Sequence, residues 1–171
     1  MSSTSQPAAG HVALPDVTGF FHGPTFSVTY LVSDPLTRRA ALIDTVLDYD
    51  HKTGRTGTQS IDLVIAELRG RGLALDWVLE THVHADHLSA APYVQAQLGG
   101  QIGIGARVTE VQRHFGRLFN AGPGFAVDGS QFDRLFADGD RFAVGTLDVQ
   151  VLHTPGHTPA CISYVVGNAV F

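Results

Sequence analysis

Between His82 and His87 the chain reads His-Val-His-Ala-Asp-His, three imidazoles and one carboxylate within six residues. Imidazole nitrogen and carboxylate oxygen are donors that zinc and iron accept, and few other tasks crowd four such groups together. The preceding stretch, Leu73 to Glu80, reads as a buried strand, and Leu88 to Leu98 reads as a helix. The histidines therefore belong to a loop at the carboxyl end of a strand, where open α/β folds place their chemistry. That constraint sets the fold class, α/β with a sheet whose strand ends carry the site. In an extended segment His82, His84 and Asp86 share one side. His87 departs from that parity and reaches a second point, so the motif can hold one ion or two. A polar surface loop is the competing account, but three of the nine histidines fall in this one window. A helical zinc-protease site is excluded, because no His-Glu-x-x-His string occurs.

A second element lies at His153-Thr154-Pro155-Gly156-His157-Thr158-Pro159. Thr146 to Leu152 ahead of it alternates polar and apolar residues like a half-buried strand. Pro155-Gly156 breaks that strand sharply and holds His157 on the turn. A stiff backbone lowers the entropy lost when a ligand residue is fixed. His153 ends the strand and reads as a packed or solvated residue.

The rest of the chain agrees with a layered α/β sandwich. Phe26 to Ser33 is an alternating strand, Asp34 to Arg39 a turn, and Ala40 to Asp44 the returning strand of a hairpin. Asp44 ends that strand near the expected metal face, where it either orients a metal-bound group or caps the loop. Thr45 to Thr58 is polar and reads as a loop. Apolar residues at 61, 64, 65 and 68 mark one face of a helix over Gln59 to Arg71. A further helix over Ala106 to Phe119 carries a stripe of Val108, Val111, Phe115, Leu118 and Phe119, read as core packing, and Asn120 to Gly124 breaks it. Phe132 to Phe136, Arg141 to Val144 and Ile162 to Val166 supply later strands. Gly103-Ile104-Gly105 lacks the third glycine of a dinucleotide fingerprint and reads as tight packing. Ser89 has no glycine-flanked elbow, so it caps a helix rather than acting as a nucleophile. His11, His22, His51 and His114 stand singly and read as surface or satisfied residues.

Composition narrows the function classes. The 171 residues are 44% hydrophobic and 16% charged, ordinary for a globular domain, with a formal net charge of −5. No basic cluster appears, so nucleic acid is not an expected partner. No apolar run is long enough for a bilayer. Residues 1–19 read as a disordered tail without the basic head and apolar core of a signal peptide, and a cytoplasmic location is expected. The single cysteine, Cys161, allows no internal disulfide and reads as a buried, inert thiol.

His-x-His-x-Asp-His followed some seventy residues later by Thr-Pro-Gly-His-Thr resembles the metallo-β-lactamase superfamily. Within it the chain is similar to the persulfide dioxygenase group, also called sulfur dioxygenases or β-lactamase-like hydrolases. The matching words are Glu80 to Ala91, Lys52-Thr53-Gly54-Arg55-Thr56 and Thr154 to Cys161. The resemblance runs from about Phe20 to the last residue. It implies an αββα sandwich of which residues 20–171 form the N-terminal portion, incomplete at the C-terminus. It implies a mononuclear Fe(II) centre bound by His82 and His157, with a third ligand, an aspartate, expected beyond Phe171. His84, Asp86 and His87 would line that site, whereas in dinuclear zinc relatives they bind metal, with Asp86 the candidate catalytic carboxylate. The implied reaction is oxidation of glutathione persulfide by O₂ to sulfite and glutathione, with a homodimer as the candidate assembly. Two alternatives stand beside it. One is a zinc hydrolase of one or two ions, resembling glyoxalase II or a lactamase. The other is a truncated, non-catalytic metal-binding fragment.

Overall fold

The computed structural model describes residues 14–171. In chain order the elements are β1 (Asp16–His22), β2 (Ser27–Ser33), β3 (Arg39–Ile43), β4 (Val46–Asp50), β5 (Arg55–Gly57) and α1 (Gln59–Gly70). There follow β6 (Ala74–Leu79), β7 (Leu88–Ser89), α2 (Ala91–Leu98), β8 (Gln101–Gly105) and α3 (Val108–Leu118). The chain closes with β9 (Arg134–Phe136), β10 (Arg141–Val144), β11 (Leu147–His153), β12 (Ile162–Val166) and β13 (Ala169–Val170).

Two sheets stack face to face. The first has the order β1-β2-β3-β6-β8-β9, antiparallel from β1 to β3 and parallel from β3 onward; the second has the order β10-β11-β12-β13 and is antiparallel throughout. Side chains alternate across a strand, and β3 shows what that demands when both faces are covered. Ala40 and Leu42 face a cluster built with Ile61, Val64, Ile65 and Leu68 of α1 and Val94 of α2. Ala41 and Ile43 face the other way, into a cluster with Val144, Leu147, Val149, Val151, Ile162 and Tyr164 of the second sheet. Hence β3 reads as a continuous apolar run, the mark of a strand buried on both sides. All four apolar positions expected on the face of α1 are buried.

Gly103 and Gly105 are packing glycines, as expected. A Cβ on Gly103 would lie 2.5 Å from the Phe136 ring, and one on Gly105 would lie 2.9 Å from Ile162.

Four expectations need correction. Residues 16–19, assigned to the tail, belong to β1, which pairs along its whole length with β2; residues 1–13 lie outside the described residues. The stretch from Thr45 to Thr58 is a β4–β5 hairpin, closed where Asp50 accepts bonds from the Lys52 N–H and the Thr53 hydroxyl. Its polar pattern hides a strand that pairs on its other edge with β7. Leu88 and Ser89 therefore open no helix, although Ser89 Oγ does accept the Ala91 N–H at 3.0 Å and so caps α2 from one residue before it. Finally, the α3 stripe is not core. Only Val108 and Gln112 are buried, while Phe115, Leu118 and Phe119 are 44%, 63% and 74% exposed. Gln112 is held by Gly129 and Gln131, Phe125 lies over Gly116, and Phe115 and Phe119 stack on each other at 5.7 Å.

Asp34 ties the two sheets together at the end away from the histidines. Its buried carboxylate, in the β2–β3 turn, accepts the Leu36 N–H, the Thr37 hydroxyl, and both the N–H and hydroxyl of Thr146 in the β10–β11 turn, at 2.6–2.8 Å. Burial pushes its pKa up, but these bonds outweigh it and hold the carboxyl well below the usual range. Asp34→Ala strips four donors of their acceptor and should cost about 1–3 kcal/mol in chemical denaturation. A depressed folded pKa makes that contribution full above about pH 4, the ordinary aspartate value, and progressively lost below it. The gap between parent and variant should therefore close as the pH falls under 4.

Candidate metal centre

The site forms where the first sheet's strand β6 ends and the second sheet's β11–β12 turn arrives beside it. The loop after Leu79 is not extended, so strand parity does not apply to it. It curls, and the His82 and His84 rings stand 4.1 Å apart, as do those of His84 and His87. From the other sheet, the His157 ring meets the His82 ring edge-on at 4.8 Å. All four imidazoles and Asp86 line one cavity of about 380 Å³, together with Ser27, Val28, Asp44 and Ala85. Ligand atoms of His84, Asp86 and His87 lie within 4.8 Å of one another. Thus every candidate ligand from the two motifs faces the same space.

The second sheet holds both pieces in register. The Tyr164 hydroxyl donates to the Glu80 carbonyl at 3.0 Å, and the Ile162 N–H donates to the Thr81 carbonyl at 3.0 Å. Around His157 the turn is closed by the Thr154 N–H on the Cys161 carbonyl, and the His153 ring bonds the Pro159 carbonyl. Cys161 is buried, and its sulfur accepts the Thr158 N–H at 3.2 Å. His153 and Cys161 therefore serve the turn and stay out of the cavity.

Each loop imidazole has one nitrogen tied outward and one left toward the others. His82 Nδ1 bonds Thr81 Oγ1 at 2.9 Å, and Thr81 Oγ1 donates its proton to Asp44 Oδ2 at 2.8 Å, so His82 Nδ1 must be the donor. His87 Nδ1 lies 3.0 Å from the Leu88 carbonyl, which only accepts, so its proton is also on Nδ1. The Nε2 atoms of His82 and His87 are then bare lone pairs. Both are buried without a hydrogen-bond partner, an arrangement that is costly unless something else satisfies them. A Lewis-acidic cation satisfies them, and an outward hydrogen bond on the far nitrogen is how ligating histidines are commonly oriented. The residues present fit a metal ion.

Asp44 organises this set. Its backbone adopts φ 52°, a left-handed conformation unusual for a residue with a side chain. The Leu79 carbonyl accepts its N–H, and the Thr29 hydroxyl donates to its carbonyl. Its carboxylate accepts the Thr81 N–H at 2.8 Å and His84 Nε2 at 3.0 Å. Of the two roles left open for it, loop capping is seen in the bonds from Thr81, and the same carboxylate also holds His84. Glu80 is buried beside it, with Oε2 at 3.2 Å from the same His84 nitrogen and Oε1 taken by the Ser89 hydroxyl. Burial disfavours a charged His84, but the two carboxylates outweigh it and raise its pKa to about 10. Burial pushes the pKa values of His82 and His87 down, which suits neutral ligands. Glu80 was not among the expected site residues. The available signal was a charged residue directly after the apolar run Trp77-Val78-Leu79.

With that geometry described, comparison with known proteins is direct. The metallo-beta-lactamase superfamily profile matches residues 22–171. The chain belongs to this superfamily. It is 58% identical, over 90% of its length, to a protein of Burkholderia pseudomallei described as a probable metallo-hydrolase, and covers 52% of that relative. It is 29% identical to the human mitochondrial persulfide dioxygenase ETHE1 over 86% of its length, covering 46% of that protein. The crystal structure of ETHE1 from Myxococcus xanthus superposes with a TM-score of 0.67 at 29% identity, over 91% of this chain and 56% of that one. The chain thus spans about half the length of the curated relatives it matches. The expected α/β superfamily fold is present, and the described residues supply one outer helical layer and the two sheets. No helix here is long and apolar enough to cross a membrane among the described residues.

If Asp44 sets His82 through Thr81, Asp44→Asn should weaken metal binding about 10–100-fold, the usual range for such outer partners. Competition with a chromophoric chelator measures this, and an unchanged dissociation constant would contradict the assignment.

Proposed function

We propose that the chain carries the metal-binding portion of a persulfide dioxygenase, oxidising glutathione persulfide with O₂ to sulfite and glutathione. The observation that carries the reading is the pairing of His82 with His157 across the two sheets, with His82 Nε2 buried, unprotonated and unpartnered. It agrees with the loop and turn motifs, and with the likeness to ETHE1 in sequence and in structure. His82 and His157 would hold Fe(II), with His84, Asp86 and His87 lining the same cavity. Bound there, Fe(II) would supply open coordination positions that admit dioxygen and a sulfur ligand together.

The chain's own residues do the rest. Asp44 and Thr81 fix the ring planes and tautomers of His82 and His84. Val28 and the stem of the loop wall one side of the cavity, and Asp86, half exposed, brings a carboxylate to its rim.

A second reading is favoured by a specific observation. His84, Asp86 and His87 by themselves bring three ligand atoms within 4.8 Å, and the 58% identical relative is described as a metallo-hydrolase. In that reading zinc occupies the site, Asp86 is a ligand, and the substrate is a thioester or lactam. The third possibility, a metal-binding fragment without activity, shares the same side chains.

Elemental analysis of the purified chain together with oxygen uptake separates these. About one iron per chain and oxygen consumption dependent on glutathione persulfide are expected. Two zinc ions with hydrolysis of S-lactoylglutathione would replace the dioxygenase by the hydrolase, and tight metal without either turnover would leave the fragment.

A further inference from the structure

One buried histidine outside the metal motifs is wired to the metal cavity. His22, the last residue of β1, is 7% exposed and sits opposite Ser27, the first residue of β2. Its Nε2 lies 3.1 Å from Asp48 Oδ1 on β4, and its Nδ1 lies 2.7 Å from Thr25 Oγ1. Thr25 Oγ1 is in turn 2.6 Å from Ser27 Oγ, and Ser27 lines the cavity that holds His82, His84, Asp86, His87 and His157. Asp48 is anchored by the N–H and hydroxyl of Ser60, at 2.8 and 2.5 Å, from the first turn of α1.

The direction of these bonds follows from Asp48 and from the charge carried by the imidazole next to it. An ionised carboxylate only accepts, so His22 Nε2 carries the proton. The relay requires a neutral imidazole, whose Nδ1 is then bare and accepts from the Thr25 hydroxyl; an imidazolium would donate from both nitrogens and reverse the line. Thr25 has no second proton, so the Ser27 hydroxyl must donate to Thr25. With a neutral His22 the Ser27 proton is committed to Thr25, and Ser27, a wall residue of the cavity, has only oxygen lone pairs left to offer. Closing the β1–β2 turn is the bland role for these groups, and Phe26 within it takes φ 57°. Turn closure, however, does not require a buried imidazole backed by a carboxylate from a third strand.

We propose that Ser27 is a proton acceptor of the metal cavity, with Thr25 and His22 the relay behind it and Asp48 its counter-charge. The proposal rests on reading that cavity as the active site. A persulfide S–H would give its proton to Ser27 Oγ as the Ser27 proton passes to Thr25 Oγ1 and the Thr25 proton to His22 Nδ1. The S–H bond and two O–H bonds break, two O–H bonds and one N–H bond form, and no electron is transferred. The result is a persulfide anion in the cavity and an imidazolium beside Asp48. The other titratable groups around His22 are Tyr49, Asp50 and Arg55, which share a groove with it along the β4–β5 hairpin; the residues that α1 contributes, Gln59, Ser60, Ile61, Leu63 and Val64, are all neutral.

Two measurements decide it. Long-range proton–nitrogen correlation spectra of the whole chain should show His22 as the Nε2–H tautomer, with Nδ1 an acceptor whose shift moves in Thr25→Val. A neutral Nδ1–H tautomer, or an imidazolium with both nitrogens protonated, would overturn the relay, whatever the reaction proves to be. In the iron-loaded protein with glutathione persulfide, Ser27→Ala and Thr25→Val should each lower kcat at least tenfold, toward the lower range of general-base effects. The double variant should lose no more than either alone, Thr25→Ser should restore turnover to within about twofold, and iron content should hold. Undiminished kcat in Ser27→Ala would sink the proposal. If the parent consumes no oxygen, the functional reading fails, and the tautomer alone then judges the relay.

Discussion

A single carboxylate, that of Asp44, is the constraint on which the site depends. It stands at the end of β3, in a left-handed backbone conformation that bonds on both sides of the residue enforce. From there it takes the Thr81 N–H and hydroxyl and the His84 imidazole. Hydrogen bonds to a charged group contribute about 1.5–3 kcal/mol each, and they weaken steeply off-line. The loop therefore has little freedom to open while Asp44 stays in place. Through Thr81 the same carboxylate dictates which nitrogen of His82 carries a proton. Backbone geometry at one strand end thus becomes lone-pair direction two side chains away.

Electrostatics add a second layer. Asp44 and Glu80 are two acids close together with one imidazole between them, and their environments push them apart. Burial and the Asp44 charge raise Glu80, while Asp44, although burial works against it, is lowered by its bonds from His84 and Thr81. His82 and His87 are lowered, because burial and the His84 charge outweigh the nearby Asp44 and Asp86. One stretch of six residues consequently presents imidazoles of different charge preference, and the difference arises from what stands behind each ring.

Much of this could be read before any coordinates. The 3.6-residue pattern located α1, and alternation located β11 to within a residue, because those elements bury one regular face. β8 escaped notice since two of its five residues are glycines made necessary by Phe136 and Ile162, leaving no hydrophobic signal. The α3 stripe misled for the opposite reason, being amphipathic without a core to meet. At the site, the histidine-rich motifs were plain from spacing alone. Glu80 was not, because its partner lies four residues ahead on a loop whose curl no local propensity encodes. The line from Asp48 through His22 and Thr25 to Ser27 joins three strands and a turn, and such a line leaves no word in the sequence.

The two rings that meet at 4.8 Å, His82 and His157, are rooted in different sheets. Any sliding of one layer over the other changes that spacing before it disturbs a single strand pairing. A cation gripped from both sides would behave as a rivet through the sandwich, coupling its own occupancy to how freely the layers shear.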